Sequence, residues 1–317
     1  MDEFDSIARL FRPLAEGAPE ALGLLDDAAL LPGRPGYELV VTTDTMVEGV
    51  HFLKGDPPEL VARKLLRVNL SDLAAKAADP YGYLLTTAWP KGWDEPRRAA
   101  FARGLADDQA TFGLKLFGGD TVSTPGPLSL GATLFGWVQA GRMVRRAGAR
   151  VGDLLYVSGT IGDGRLGLAA AQGVFEGSAE DRAYLAGRYR LPEPRLGLRD
   201  ALARYATAAA DVSDGLLADA GRIAEASDVG VEIDLDRLPL SAAARRSGAT
   251  LVDLATGGDD YEVVCSVRPD LAAAFEGEAK ASGLPVAWIG RVTEGEGVSP
   301  RLEGQPVPTA RTGWRHG

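Results

Sequence analysis

Val40-Val41-Thr42-Thr43-Asp44-Thr45-Met46-Val47-Glu48-Gly49-Val50-His51-Phe52 opens on apolar residues that read as a buried strand, then runs into hydroxyls, a carboxylate and one of the chain's 2 histidines. In an α/β sheet, ligands bind at polar groups gathered just past a strand's carboxyl end. Chemistry is therefore expected at this strand end. Three further stretches repeat the pattern of an expected strand-to-loop junction: Gly118-Gly119-Asp120-Thr121, Asp211-Val212-Ser213-Asp214-Gly215 and Gly257-Gly258-Asp259-Asp260-Tyr261. Most of these ends are acidic.

Working outward, residues 4–15 place Phe4, Ile7, Leu10, Phe11 and Leu14 at helical spacing. The loop from Gly23 to Leu31 carries Asp26 and Asp27, and on an extended chain neighbouring residues face opposite ways, so at most one should enter a site. Pro57-Pro58-Glu59 opens a helix to about Ala78 that sets Asn69 and Asp72 on one face. Strands are expected at 83–89, 114–117 and 128–138, and a helix at 94–111. The turn Gln139-Ala140-Gly141-Arg142 and the basic residues Arg145, Arg146 and Arg150 mark a domain boundary, giving 1–140 and 141–317. The second half alternates strands (154–158, 207–211, 230–235, 261–267, 286–290) with helices (164–172, 180–187, 195–205, 215–226, 269–281), an α/β or α+β pattern.

The 317 residues suffice for two domains with cores of their own. A net charge of -10 argues against nucleic acid as a partner, because affinity for a phosphate backbone needs a basic face. No run approaches the roughly 20 apolar residues of a membrane span, and the acidic start Met1-Asp2-Glu3 is unlike a signal peptide. A cytoplasmic enzyme is expected. Cys265 is the single cysteine, so no internal disulfide forms, and its apolar surroundings predict a buried thiol.

Carboxylates at the expected junctions number more than acid-base chemistry needs: Asp26, Asp27, Asp44, Asp72, Asp120, Asp211, Asp214, Asp259 and Asp260, with hydroxyls at Thr42, Thr43 and Ser213. Hard oxygen ligands suit magnesium, which is held by a few carboxylates, substrate phosphates and water. Any one Asp is more commonly a helix cap or turn former, and Asp214 before Gly215 fits that job. The set as a whole points to a multi-metal nucleotide site. No Gly-Lys dipeptide occurs, so an ordinary P-loop is excluded. Gly162-Asp163-Gly164-Arg165-Leu166-Gly167 matches Gly-x-Gly-x-x-Gly between an expected strand and helix; it reads either as an anion cradle or as a tight turn. His51 is read either as a surface or satisfied core residue or as a phosphate contact. Trp314 is either a packing residue or a platform for an aromatic or cationic ligand.

Together the motifs carry a resemblance that covers nearly the whole chain in order. Val41-Thr42-Thr43-Asp44-Thr45 with Glu48-Gly49-Val50-His51-Phe52, Val68-Asn69-Leu70-Ser71-Asp72-Leu73-Ala74-Ala75 and Gly118-Gly119-Asp120-Thr121 are joined by Arg146-Ala147-Gly148-Ala149-Arg150-Val151-Gly152-Asp153. Asp211-Val212-Ser213-Asp214-Gly215-Leu216, Gly257-Gly258-Asp259-Asp260-Tyr261-Glu262 and Gly313-Trp314-Arg315-His316 complete the series. The chain resembles the thiamine-monophosphate kinase family of the aminoimidazole ribonucleotide synthetase superfamily. The resemblance implies two domains, an N-terminal α/β domain that contributes to a dimeric β-barrel in a homodimer and a C-terminal α/β domain. It implies transfer from ATP to thiamine monophosphate, giving ADP and thiamine diphosphate. By the same resemblance Asp27, Thr42, Thr43, Asp44, Asp72, Asp120, Asp211 and Asp214 would hold several Mg2+ ions. Gly119, Asp120, Arg146 and Ser213 would contact ATP, and His51, Asp259 and Trp314 the thiamine substrate. The acceptor phosphate has a second pKa of about 6, so no general base is expected and no catalytic side chain is assigned.

Three positions depart from the family pattern: Leu25 where Gly usually precedes the Asp pair, Lys76 where Met is usual, and Asp259 where Glu is usual. Leu25 lacks the backbone freedom of Gly and is expected to alter the loop presenting Asp27. Asp259 reaches one methylene less far. Rival readings are a sister ATP-dependent enzyme of the aminoimidazole ribonucleotide synthetase type and a non-catalytic nucleotide-binding regulator. Selenophosphate synthetase and the carbamoyl-dehydrating hydrogenase maturation protein use a reactive cysteine near one terminus, which Cys265 does not supply.

Overall fold

The computed structural model describes residues 7–308 and 312–314; Phe4 and the Arg315-His316 ending lie outside them. The chain is mixed α/β and divides into two compact units, the first made of the described residues up to Leu73 with Ala78–Gly141 and the second of Ala74–Ala77 with the described residues from Arg142 onward.

The first unit is built on a four-stranded sheet of β1 (Tyr37–Val47), β2 (Asp79–Pro90), β3 (Leu116–Thr124) and β4 (Ser129–Gln139), in the order β1-β4-β2-β3. β4 runs antiparallel to β1 and β2, and only β2 and β3 are parallel. That parallel pair needs a crossover, supplied by the helix Glu95–Phe112. Asp94 starts this helix by accepting the Arg97 N–H at 3.1 Å, and Gly113 ends it at φ 69°. The helix Pro58–Ala75 buries a stripe of Ala62, Leu65, Leu66, Leu70 and Leu73 at the spacing of one helical face. On β1 the pleat alternates: Val40 and Met46 are buried, whereas Val41, Thr43 and Thr45 are exposed.

Two expectations change here. Thr42–Asp44 and Gly118–Thr121 lie inside β1 and β3 rather than past their ends. Both strands are sheet edges with one partner each, so alternate polar residues continue the strand without burying a charge. The helix expected over 4–15 is a single π-type turn, Ile7–Phe11, followed by a 3-10 turn, Arg12–Ala15, because Pro13 has no N–H to continue an α-helix.

The second unit holds a seven-stranded sheet of β5 (Leu154–Ser158), β6 (Ala206–Val212), β7 (Gly230–Asp234), β8 (Glu262–Val267), β9 (Val286–Thr293), β10 (Gly297–Leu302) and β11 (Gln305–Pro306). The order is β11-β10-β7-β9-β5-β8-β6, antiparallel except for β7 with β10. On one face the helix Leu216–Ser227 packs Leu217, Ala220 and Ile223 with Val231, Ile233 and Ile289. A second core joins Tyr156, Cys265 and Val267 to Leu202 of the helix Arg199–Tyr205 and Phe275 of the helix Ala272–Ala281. Cys265 is buried, as its apolar surroundings in the sequence predict, and burial pushes its thiol up to about 12. Among the described residues neither sheet closes into a barrel, and no helix is long and apolar enough to cross a membrane.

Two of the three departures have ordinary local explanations. Leu25 sits at φ −113°, which any residue adopts, while Leu22 and Leu24 take the left-handed conformation at φ 50° and 54°. The Asp27 loop therefore does not need glycine at position 25. Lys76 spends its charge inside the second unit, where Nζ donates to the Ala209 carbonyl at 2.7 Å.

Candidate active site

In the first unit Thr42 and Asp72 meet directly: the Thr42 hydroxyl donates to Asp72 Oδ2 at 2.6 Å. Strand alternation places Asp44 on the same face as Thr42 and Thr43 on the opposite one. There the Thr43 hydroxyl donates to the Ala132 carbonyl at 3.1 Å and accepts from Thr133 at 3.1 Å. The Thr43 hydroxyl is thus engaged on the sheet face opposite Thr42 and Asp44. Cross-strand pairing links Asp44 through Ala132 and Leu85 to Gly119, one residue before Asp120.

A cleft of about 810 Å³ is lined by Asp26, Asp27, Thr86, Gly119, Asp120 and Thr121 on its polar side. Both neighbouring carboxylates line it because residues 26–28 form a bend instead of the extended chain expected, with Asp26 Oδ1 accepting the Asp27 N–H at 2.8 Å. Gly119 has a packing reason to be glycine: a Cβ there would lie 1.8 Å from the Leu85 carbonyl oxygen. Gly119→Ala is expected to destabilise the protein by about 1–3 kcal/mol, read in a urea melt; an unchanged midpoint would show that β3 shifts freely.

The His51 ring is fixed in orientation. Its Nδ1 accepts the Val47 N–H at 3.0 Å, which leaves the ring proton on Nε2, and its carbonyl accepts from the buried Lys64 Nζ at 3.0 Å. No sequence signal distinguishes Lys64, which reads as one more charge on a helix.

In the second unit the turn Ser213-Asp214-Gly215 is organised by a residue that no motif marks. The Asp219 carboxylate accepts the N–H groups of Ser213 at 3.0 Å, Asp214 at 3.0 Å and Gly215 at 3.2 Å. Asp214 is therefore not the cap of the helix Leu216–Ser227; Asp219 satisfies these amides from within its first turn. An acidic residue in a first turn is a recognisable signal. Burial raises the Asp219 carboxyl to about 6, against the pull of Arg222 downward and with a further push upward from Asp214. Since those three amides face inward, Ser213 has its hydroxyl, not its N–H, to offer a nucleotide. Asp211 is buried in β6, and Arg146 keeps a buried Nε with no hydrogen-bond partner among the described residues. An orphaned guanidinium donor is what an anionic ligand would satisfy.

The loop Gly257–Tyr261 returns to this turn: Asp259 N–H donates to the Ser213 carbonyl at 2.9 Å, and Tyr261 N–H to that of Val212 at 2.8 Å. Asp259 and Tyr261 adopt φ 68° and 52°, strained for residues with side chains, and the Tyr261 hydroxyl donates to Asp259 Oδ1 at 3.1 Å. Trp314 is 60% exposed, and its main-chain N–H donates to the Asp214 carbonyl at 2.9 Å, which anchors its backbone beside this turn. Asp260 lies on the other side of the loop, accepting the N–H groups of Gly162 and Gly164 at 2.8 Å each. The Gly-x-Gly-x-x-Gly stretch thus turns at Gly162, at φ 89°, into the helix Asp163–Ala171, with the Gly162 and Gly164 amides taken by Asp260. A Cβ at Gly164 would lie 2.3 Å from the Asp259 backbone.

No group of three His, Cys, Asp or Glu side chains close enough to hold an ion occurs among the described residues. The donors present are all oxygens, and a magnesium ion that shares substrate phosphates and water needs only one or two carboxylates.

Comparison with known proteins matches residues 25–138 to the family model described as AIR synthase related protein, N-terminal domain, and residues 150–303 to its C-terminal domain counterpart. The chain is 56% identical to a thiamine-monophosphate kinase of Caulobacter vibrioides over 322 residues, covering 99% of this chain and 91% of that protein. It superimposes with a TM-score of 0.85 on the crystal structure of thiamine-monophosphate kinase from Stenotrophomonas maltophilia, at 38% identity and covering 97% and 98% of the two chains. A second similar structure, AaThiL complexed with AMPPCP and TMP, gives a TM-score of 0.79 at 31% identity, covering 90% and 89%.

Proposed function

Because the chain belongs to the thiamine-monophosphate kinase family, we infer that it transfers the γ-phosphoryl group of ATP to thiamine monophosphate, giving thiamine diphosphate and ADP. The observation that carries this is 56% identity over 99% of the chain to a kinase of that name. The relative complexed with AMPPCP and TMP supports the same pair of substrates. The acceptor phosphate, with a second pKa of about 6, is largely dianionic at neutral pH and attacks without a protein base. Transfer is in line, with no phosphoenzyme.

Asp27, Thr42, Asp44, Asp72 and Asp120 in the first unit, with Thr43 through its main chain, and Asp211 and Asp214 in the second, would hold magnesium. When bound, magnesium supplies the positive charge that offsets repulsion between two polyanions. Gly119 and Asp120 in the first unit, and Arg146 and the Ser213 hydroxyl in the second, would bind ATP. His51, with its ring fixed by the Val47 N–H, would donate from Nε2 to the phosphate of thiamine monophosphate. Asp259 and Trp314 would meet the cationic thiamine ring system, the one by charge and the other by its exposed face. The enzyme works as a cytoplasmic homodimer; the open edge of β1 and the exposed Val41, Thr43 and Thr45 beside it offer a surface for a shared β-barrel.

Purified protein with magnesium, ATP and thiamine monophosphate should yield thiamine diphosphate and ADP in equal amounts, with free thiamine inert as acceptor. ATP bound but not turned over would favour a non-catalytic regulator, and turnover of a purine-type acceptor alone would favour a sister activity. Trp314→Ala is expected to raise KM for thiamine monophosphate about tenfold while KM for ATP changes little, in keeping with a cation–π contact. Equal changes in both constants would remove Trp314 from the thiamine site.

A further inference from the structure

Arg222, on the helix Leu216–Ser227, grips two carboxylates at once: Nη1 donates to Asp219 Oδ1 at 3.2 Å and Nη2 pairs with Asp214 Oδ2. The grip is asymmetric. Asp219 is fully buried and keeps three backbone donors of its own, so it needs Arg222 least. Asp214 has both main-chain groups committed, its N–H to Asp219 and its carbonyl to Trp314, and its carboxylate is turned to Arg222. Arg222 is 40% exposed and Asp214 21%, so the pair sits where the guanidinium can withdraw into water. Asp211 adds its field to those of Asp219 and Asp214 at the same guanidinium.

We propose that Arg222 is a built-in counter-cation for Asp214, holding its carboxylate in the nucleotide-free chain and surrendering it to a divalent cation, and that Arg222 thereby sets the metal affinity at Asp214. The inference rests on the reading of Asp214 as a magnesium ligand and deepens it. A half-exposed ion pair is weak, so its displacement opposes metal binding only modestly. A divalent ion held by Asp214 would nevertheless meet the positive charge that now pairs with that carboxylate, and like charges at short range repel. Arg222 offsets the charges of Asp214 and Asp219, with Asp211 adding its field, and that same positive charge would have to be overcome when a divalent ion loads. Asp219 keeps the turn in shape during the exchange, because its bonds to Ser213, Asp214 and Gly215 do not involve Arg222.

The test titrates Mn2+ alone into the full-length protein without nucleotide and follows free Mn2+ by electron paramagnetic resonance. Arg222→Gln is expected to bind Mn2+ about tenfold more tightly than the unaltered chain, and Arg222→Lys about equally, since Lys keeps the charge. Asp214→Asn should weaken binding, and adding Arg222→Gln to it should then bring no gain. If Arg222→Gln binds no more tightly while Asp214→Asn still weakens binding, the role of Arg222 is overturned and the metal reading stands. If Asp214→Asn changes nothing, alone or combined with Arg222→Gln, Asp214 is not a ligand and both fall. A second measurement needs no variant that could fail to fold: the Arg222 Nε–H resonance of the unaltered chain should shift on adding Mg2+, and an unmoved resonance under saturating Mg2+ overturns the exchange.

Discussion

Asp72→Asn is expected to leave the protein folded and to lower kcat by at least about 10²–10³-fold, the loss seen when a group that stabilises transition-state charge is removed. The substitution removes one charge and almost nothing else. Thr42 donates to Asp72 Oδ2 at 2.6 Å, and the amide oxygen of Asn can accept the same bond. The apolar stripe of the helix, Leu65, Leu66, Leu70 and Leu73, is untouched, so the melting temperature should move by no more than a few degrees. Asp44→Asn, two residues from Thr42 on the same strand face, should behave alike. Near-full activity in either variant, with the usual magnesium dependence, would remove the metal-assisted mechanism.

Glu262→Leu should show the opposite profile, a large loss of stability of about 3–5 kcal/mol. The Glu262 carboxylate is fully buried and accepts from Arg195 Nε at 2.6 Å, Arg195 Nη2 at 2.5 Å, Arg188 Nη2 at 2.9 Å and the Ser158 hydroxyl at 2.7 Å. Burial alone would lower the Arg195 guanidinium, yet Glu262 and Glu193 hold it above its ordinary value. Leucine removes the buried counter-charge that Arg195 and Arg188 share, leaving Arg195 only the exposed Glu193 and Arg188 only the longer contact to Asp163, and it is the desolvation of the two guanidinium groups that costs. Glu262→Gln, which keeps the shape and some hydrogen bonds, should lose less. Denaturation followed by circular dichroism separates the two, and equal midpoints for all three proteins would show that water reaches the site. Because Glu262 follows Tyr261 directly, the leucine variant should also loosen the Asp259 loop and raise KM for thiamine monophosphate.

Charge, strand patterning and motif order make the two-unit α/β plan and the family legible in the sequence. What they do not convey is orientation. Asp44 and Asp120 read as residues beyond strand ends because polar runs usually mark loops, whereas an edge strand tolerates them along its length. Thr42 and Thr43 read as equivalent until the pleat sends their hydroxyls to opposite faces. Arg222, Arg188 and Arg195 carry no local signature, and neither the first-turn position of Asp219 nor the motif ending in Glu262 says which groups they meet, because those partners lie elsewhere in the chain: Glu262 meets Arg195 across 67 positions. The short helices Ala242–Arg246 and Leu251–Ala255 and the strand Gly297–Leu302 are likewise illegible, each too brief to establish a period.

Asp260 gives the glycine turn at Gly162–Gly164 a further meaning. Held 2.8 Å from both amides, the Asp260 carboxyl group is an intramolecular acceptor, present at the effective concentration of a tethered group for whatever anion would approach the same two donors. An anion arriving from solution would have to displace it, so these two amides are satisfied from within the chain. They are thereby withheld from the nucleotide that the chain is proposed to bind elsewhere.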